Sequence, residues 1–180
     1  MSTAADLRTG RCRLIEGDPT VVAAVDAVCE PLSPEALFAE VPMESLLALQ
    51  RDPKLASELM RRLRTLQLPG PNRVWAAVTD DGRRIGYVQL AHTDSASPDL
   101  RVALIPEFRG RGFGRETASG VLHTWFRENP EGSVLYCVSG ANEKSVGLAL
   151  RLGGVYLAAE SREWLGMFRV YRITAASFRG

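Results

Sequence analysis

The stretch 100–127, LRVALIPEFRGRGFGRETASGVLHTWFR, constrains this chain more than any other. Leu100, Val102 and Leu104 alternate with Arg101, Ala103 and Ile105, which predicts a strand with two different faces. Pro106 removes a backbone donor and ends ladder pairing. Arg109-Gly110-Arg111-Gly112-Phe113-Gly114 follows at once. Gly114, Ala118, Val121, Leu122 and Trp125 then recur at helical spacing, with Arg115, Glu116, Ser119 and Arg127 off that stripe. Asn129-Pro130-Glu131-Gly132 ends the helix. The next apolar run, 133–139, completes a strand–helix–strand unit, and such crossovers join parallel strands.

That order has a chemical consequence. A helix start carries unpaired N–H groups and partial positive charge. Glycines bring the backbone close to a ligand because no Cβ intervenes. Together they form an anion site. Arg109, Arg111 and Arg115 add forked donors suited to phosphate. The loop is therefore expected to hold a pyrophosphate. It is not a Walker loop, which needs GxxxxGK followed by Ser or Thr. It is not a dinucleotide fingerprint either, since its glycines fall two apart.

The rest of the chain reads as one domain. At 180 residues it is long enough for a real core. Residues 1–10 read as frayed and 12–16 as a short strand. Asp18-Pro19, Ser33-Pro34 and Asp52-Pro53 start helices, with another over 43–50. The last of these, running to about Leu66, carries Arg61, Arg62 and Arg64 on what reads as a solvated face. Pro69-Gly70-Pro71 is a rigid break. Strands at 74–79 and 84–92 flank Asp80-Asp81-Gly82, a hairpin. The 133–139 run is nearly all apolar, as befits a central strand. A helix over 143–152 stops at Gly153-Gly154, and strands at 155–160 and 165–174 follow.

Composition excludes some classes. A net charge of +1 argues against a broad nucleic-acid surface. No apolar run is long enough to span a membrane, and MSTAADLRTGRC has no secretory core. Cys12, Cys29 and Cys137 are widely spaced, which suits reduced thiols and a cytoplasmic location. With His92 and His123 the only histidines, no zinc site is expected.

Arg109-x-x-Gly112-x-Gly114, the preceding strand, Pro106 and a downstream Asn142 together resemble the acetyl-CoA loop of the GCN5-related N-acetyltransferase (GNAT) superfamily. The resemblance covers roughly residues 72–175. It implies an α/β (α+β) fold, a mixed central sheet of about six to seven strands flanked by helices. Residues 1–71 would supply an N-terminal strand and substrate-side helices. Asn142, Ser145 and Gly153 fit a second family signature, but Ala149 stands where Tyr is often found and Gly154 where Phe is usual. Within the superfamily the chain looks most like the ribosomal-protein N-terminal alanine acetyltransferases.

The resemblance implies direct acetyl transfer from acetyl-CoA to a primary amine, on a small molecule or a protein N-terminus, by a monomer or homodimer. Leu104, Ile105, the 109–115 loop (Arg109, Gly110, Arg111, Gly112, Phe113, Gly114, Arg115), Asn142 and Ser145 would contact the cofactor. The amide of Leu104 or Ile105 would hold the acetyl oxygen. With Tyr absent at Ala149, Ser145 is the nearest acid, and Tyr136 or Tyr156 are others within reach. Glu160, Glu163 and Glu107 are candidate bases. An α-amine, pKa ~7.7, is roughly one-sixth neutral at pH 7 and needs little help from a base. A non-catalytic acyl-CoA-binding module is the alternative reading, and a phosphate-loop nucleotide binder a third.

Overall fold

A computed structural model describes residues 6–17, 25, 71–162 and 166–180, without the side chains of 161, 162 and 166. The helices expected from 18–66, the Arg61–Arg64 face, Cys29 and Glu163 lie outside the described residues.

The described strands form one mixed sheet of eight, not six or seven. In chain order they are β1 (Leu7–Arg8), β2 (Cys12–Glu16), β3 (Asn72–Thr79), β4 (Arg84–Ala91), β5 (Asp99–Leu104), β6 (Ser133–Ser139), β7 (Val155–Arg162) and β8 (Gly166–Thr174). Their order across the sheet is β1-β2-β3-β4-β5-β6-β8-β7. β1 falls inside the segment expected to be frayed. Two residues are too few to show alternation, and β1 exists because Leu7 and Arg8 pair with Leu14 and Arg13.

The helices are α1 (Phe113–Glu128) and α2 (Glu143–Arg151), with a 3-10 turn at Pro106–Phe108. One sheet face packs on both. Leu14, Trp75, Val88, Leu90, Val134 and Ile173 meet Ala118, Val121, Leu122 and Trp125 of α1 and Leu148 and Ala149 of α2. Of the stripe read from the sequence, Ala118, Val121, Leu122 and Trp125 are buried and Gly114 is half-buried; Ser119, expected off the stripe, is buried as well. Each fully buried Leu or Val there contributes roughly 1.5–3 kcal/mol. Ala76, Val78 and Tyr87 point to the opposite face, where buried Val25 packs against them.

Arginines pin α1 near both ends. Arg73 of β3 donates to Glu16 at 2.6 Å and to Glu128 at 2.6 Å, joining β2, β3 and the last residue of α1. Burial opposes the Arg73 charge, but the Glu16 hydrogen bonds outweigh it and push its pKa up. Near the start, Arg11 reaches Glu116 from the β1–β2 turn.

Candidate active site

Six of the seven strand junctions are antiparallel. The seventh, β5 against β6, is parallel and is bridged at a single pair, Asp99 with Leu135. The Leu135 amide donates to the Pro98 carbonyl at 2.9 Å. Beyond that pair, residues 100–104 and 136–139 carry no bridge to each other. The carboxyl ends of the two strands therefore border a seam, and each is followed by a helix start. Crevices outside the carboxyl ends of strands are where open α/β sheets bind ligands.

The end of β5 faces this seam through Leu104. The Ile105 amide donates to the Ile85 carbonyl at 2.9 Å, so it is committed to β4. Ladder bonds alternate along an antiparallel pair. Leu104, opposite Gly86, thus turns its amide and carbonyl toward the β6 side. Its carbonyl accepts from Arg109 Nε at 2.8 Å. Gly86 is required here, because a Cβ would collide with the Ala103 carbonyl and lie 2.7 Å from Leu104 Cδ2.

The loop is shaped by its glycines. Gly110 and Gly112 have φ of +74° and +87°, the left-handed region that L side chains rarely adopt. Gly112 is the N-cap of α1, and no side chain among the described residues caps that end. The first amide paired within the helix is that of Glu116, to the Gly112 carbonyl at 3.1 Å. Among the described residues, no heavy atom beyond its chain neighbours lies within 4 Å of a Cβ built on Gly110. Backbone curled this way, with open space above it, suits the approach of a pyrophosphate. Phe108 and Phe113 are buried edge-to-face at 5.5 Å and anchor the two ends of the loop, so Phe113 offers a ligand its backbone and not its ring.

The three loop arginines diverge. Arg109 turns back to Leu104. Arg111 lies over the Phe108 and Phe113 rings at 5.5 and 5.8 Å. Arg115 points along the chain's last residues, donating to the Gly180 carbonyl at 3.2 Å. The residue missed from the sequence is Arg11, whose guanidinium carbon sits 4.1 Å from the Phe113 ring centroid. No local signal marks it, since its partner Glu116 lies 105 positions along the chain.

α2 begins differently. The Asn142 side chain accepts the Ser145 amide at 3.0 Å, so Asn142 caps the helix. Ser145, one turn in, is half-buried. Its side chain lies beside the Tyr136 phenol of β6. Burial raises the Tyr136 pKa, and the neighbouring Ser145 side chain works against that rise. The start of α1 packs against the body of α2 and the end of β5: a Cβ on Gly114 would lie 3.6 Å from Leu148 and 3.7 Å from Leu104. Ala149, where the resemblance expects Tyr, is fully buried in the core. Glu160 is exposed on the edge strand β7, opposite Phe168 of β8, and Glu107 is exposed beside the loop. Tyr156 is also exposed on β7 and packs edge-to-face with Tyr171 at 6.0 Å.

The sequence profile of the acetyltransferase (GNAT) domain family matches residues 22–155. The chain belongs to that family and is an acyltransferase. No curated protein matches it in sequence. Solved structures share its fold. A spermidine N-acetyltransferase chimera from Vibrio cholerae and hSSAT is 17% identical, with a TM-score of 0.63 over 93% of this chain and 98% of that one. A Vibrio cholerae protein assigned as a ribosomal-protein-serine acetyltransferase is 14% identical, with a TM-score of 0.59 over 97% and 99%. A dodecameric spermidine N-acetyltransferase from the same organism gives 20% and 0.55 over 67% and 74%. Among the described residues, no helix is long and apolar enough to cross a membrane.

Proposed function

We propose that this chain moves the acetyl group of acetyl-CoA directly onto a primary amine, on a small molecule or a protein N-terminus. The observation that carries this reading is the uncapped, glycine-built start of α1 at the carboxyl end of β5, beside the unbridged seam. Acetyl-CoA supplies the activated thioester. The Gly110–Gly114 backbone takes the pyrophosphate and Asn142 takes the pantetheine arm. The end of β5 at Leu104 lies beside the acetyl group and helps to position it. Most of the rate enhancement then comes from positioning.

Two protons must move, one off the amine and one onto the departing sulfur. Ser145 is assigned the second, with Tyr136 behind it as the group that orients its hydroxyl. Glu160 is the candidate for the first, drawing it through solvent. Solved structures of this shape are named for the acetylation of spermidine and of a ribosomal protein, and an amine acceptor is consistent with them. The acting unit is taken as a monomer or homodimer in a cytoplasmic setting. The absence of Tyr at Ala149 keeps a second reading open, an acyl-CoA-binding module without turnover.

Isothermal titration with acetyl-CoA, CoA and ATP, on the wild type and Gly112→Trp, tests the cofactor assignment. Binding of CoA but not ATP, lost in the folded variant, supports it. Release of thiol with any amine in a panel then separates enzyme from binding module. No CoA binding by the wild type would overturn the reading.

A further inference from the structure

α1 is tied to the sheet by two arginines, but only one of them touches the cofactor loop. Arg73 binds Glu128 at the far end. Arg11 binds the near end through four kinds of contact. Its amide donates to Glu116 Oε1 at 2.6 Å and its Nε to Oε2 at 2.7 Å. Its Nη1 donates to the Arg111 carbonyl at 3.2 Å. Its guanidinium covers the Phe113 ring. A Cβ on Gly112 would lie 3.3 Å from its Nη2. Thr9 adds a hydroxyl to Glu116 Oε1 at 2.8 Å.

These contacts fall on 111, 112, 113 and 116, the residues that set the loop's path. The Arg111–Gly112 peptide is planar and trans, so its C=O and N–H point opposite ways. Drawing the Arg111 carbonyl toward Arg11 turns the Gly112 N–H away from the β1–β2 turn. The Phe113 contact and the Glu116 pair then fix the first turn of the helix against the same turn of chain. We propose that Arg11 is a positioning residue for the cofactor: it holds the Arg111–Gly112–Phe113 backbone in the phosphate-receiving conformation, with Glu116 and Thr9 as its anchor. This rests on the assignment of the loop to CoA. Its prediction is a preorganisation effect, since a loop already held in its bound shape has less freedom to lose on binding.

Arg73 is the internal control, because it pins the same helix without reaching the loop. Steady-state kinetics in acetyl-CoA, and titration with CoA, would be run on Arg11→Ala, Arg11→Lys, Glu116→Gln and Arg73→Ala, each with a thermal melt. Arg11→Ala is expected to raise the KM for acetyl-CoA and the Kd for CoA about tenfold, the loss of one charge-assisted contact set. Its kcat at saturation and its KM for the amine should move less than about threefold. Glu116→Gln should show the same split, and serves if Arg11→Ala does not fold. Arg11→Lys should recover little, because an ammonium cannot bridge Glu116 and the Arg111 carbonyl as the fork does. Arg73→Ala should lower the melting temperature and leave the Kd for CoA within about twofold. Arg11→Ala with wild-type affinity for CoA, or a loss no larger than that of Arg73→Ala, would overturn the proposal. A wild type that binds no CoA would overturn the functional assignment itself, and is distinguished by being seen before any variant is made.

Discussion

The starts of α1 and α2 each follow one of the two strands that border the seam, and they are built in opposite ways. α1 starts on a left-handed glycine with no side-chain cap. Its first amides are left to whatever approaches from outside. α2 starts on Asn142, which accepts the Ser145 amide at 3.0 Å and closes that end on itself. The first start offers backbone; the second offers side chains, with Ser145 beside Tyr136. One helix start can bind an anion because no side chain among the described residues caps it. The other can present a hydroxyl at a fixed place because its own cap holds it still.

The pair Gly112→Trp and Asn142→Ala should separate these roles most sharply. Gly112→Trp puts a side chain where φ is +87°, at a cost of roughly 1–2 kcal/mol, and should abolish measurable CoA binding in a protein that still melts cooperatively. Asn142→Ala should cost about 1 kcal/mol of stability for the lost cap, with CoA affinity lowered by less than about fivefold in titration. Equal losses of affinity in the two would erase the contrast. Next in size is Ser145→Ala. Loss of an acid is expected to lower kcat roughly 10²-fold, with a smaller change in the KM for acetyl-CoA. An unchanged kcat would reduce Ser145 to a packing residue.

A smaller effect concerns pH. Burial opposes ionisation of Glu116, but the Arg11 amide, the Thr9 hydroxyl and the Arg11 guanidinium outweigh it and hold its pKa below the usual carboxylate range. A depressed pKa stabilises the fold above the unfolded value, about 4.3 for Glu, and that contribution is lost as pH falls through the folded value. Thermal melts of the ligand-free protein should therefore fall more steeply below about pH 4.3 in the wild type than in Glu116→Gln. Parallel curves would contradict this. The smallest effect is at Cys12. Burial, with Glu116 adding to it, pushes this thiol up to about 11. Mass spectrometry should find Cys12 unalkylated by iodoacetamide at pH 8 until the protein is unfolded.

What could be read from the sequence was local. The glycines at 110, 112 and 114, the Pro106 break and the α1 stripe lie within one short run, and backbone preference dictates their roles. β1 escaped because two residues show no period, and only its register with Leu14 and Arg13 makes it a strand. Arg11 escaped for a related reason. Its role depends on the β1–β2 turn lying across the first turn of α1, a tertiary fact with no trace in spacing. Arg115 sits on the loop in sequence, yet its guanidinium reaches the Gly180 carbonyl, since a helical side chain follows its helix face and not its neighbours. The single bridge between β5 and β6 leaves no trace in the residue pattern of either strand, and only the family resemblance implies that the two part.

The most direct test of the contrast is amide hydrogen exchange of the wild type with and without CoA, read by mass spectrometry at peptide resolution. Peptides covering 109–116 should gain the largest protection, because their outward amides acquire a partner, and those covering 142–145 should gain less, because that end is already capped. Protection confined to 142–145, or none at either helix start while CoA is demonstrably bound, would contradict the account and place the cofactor elsewhere on the protein.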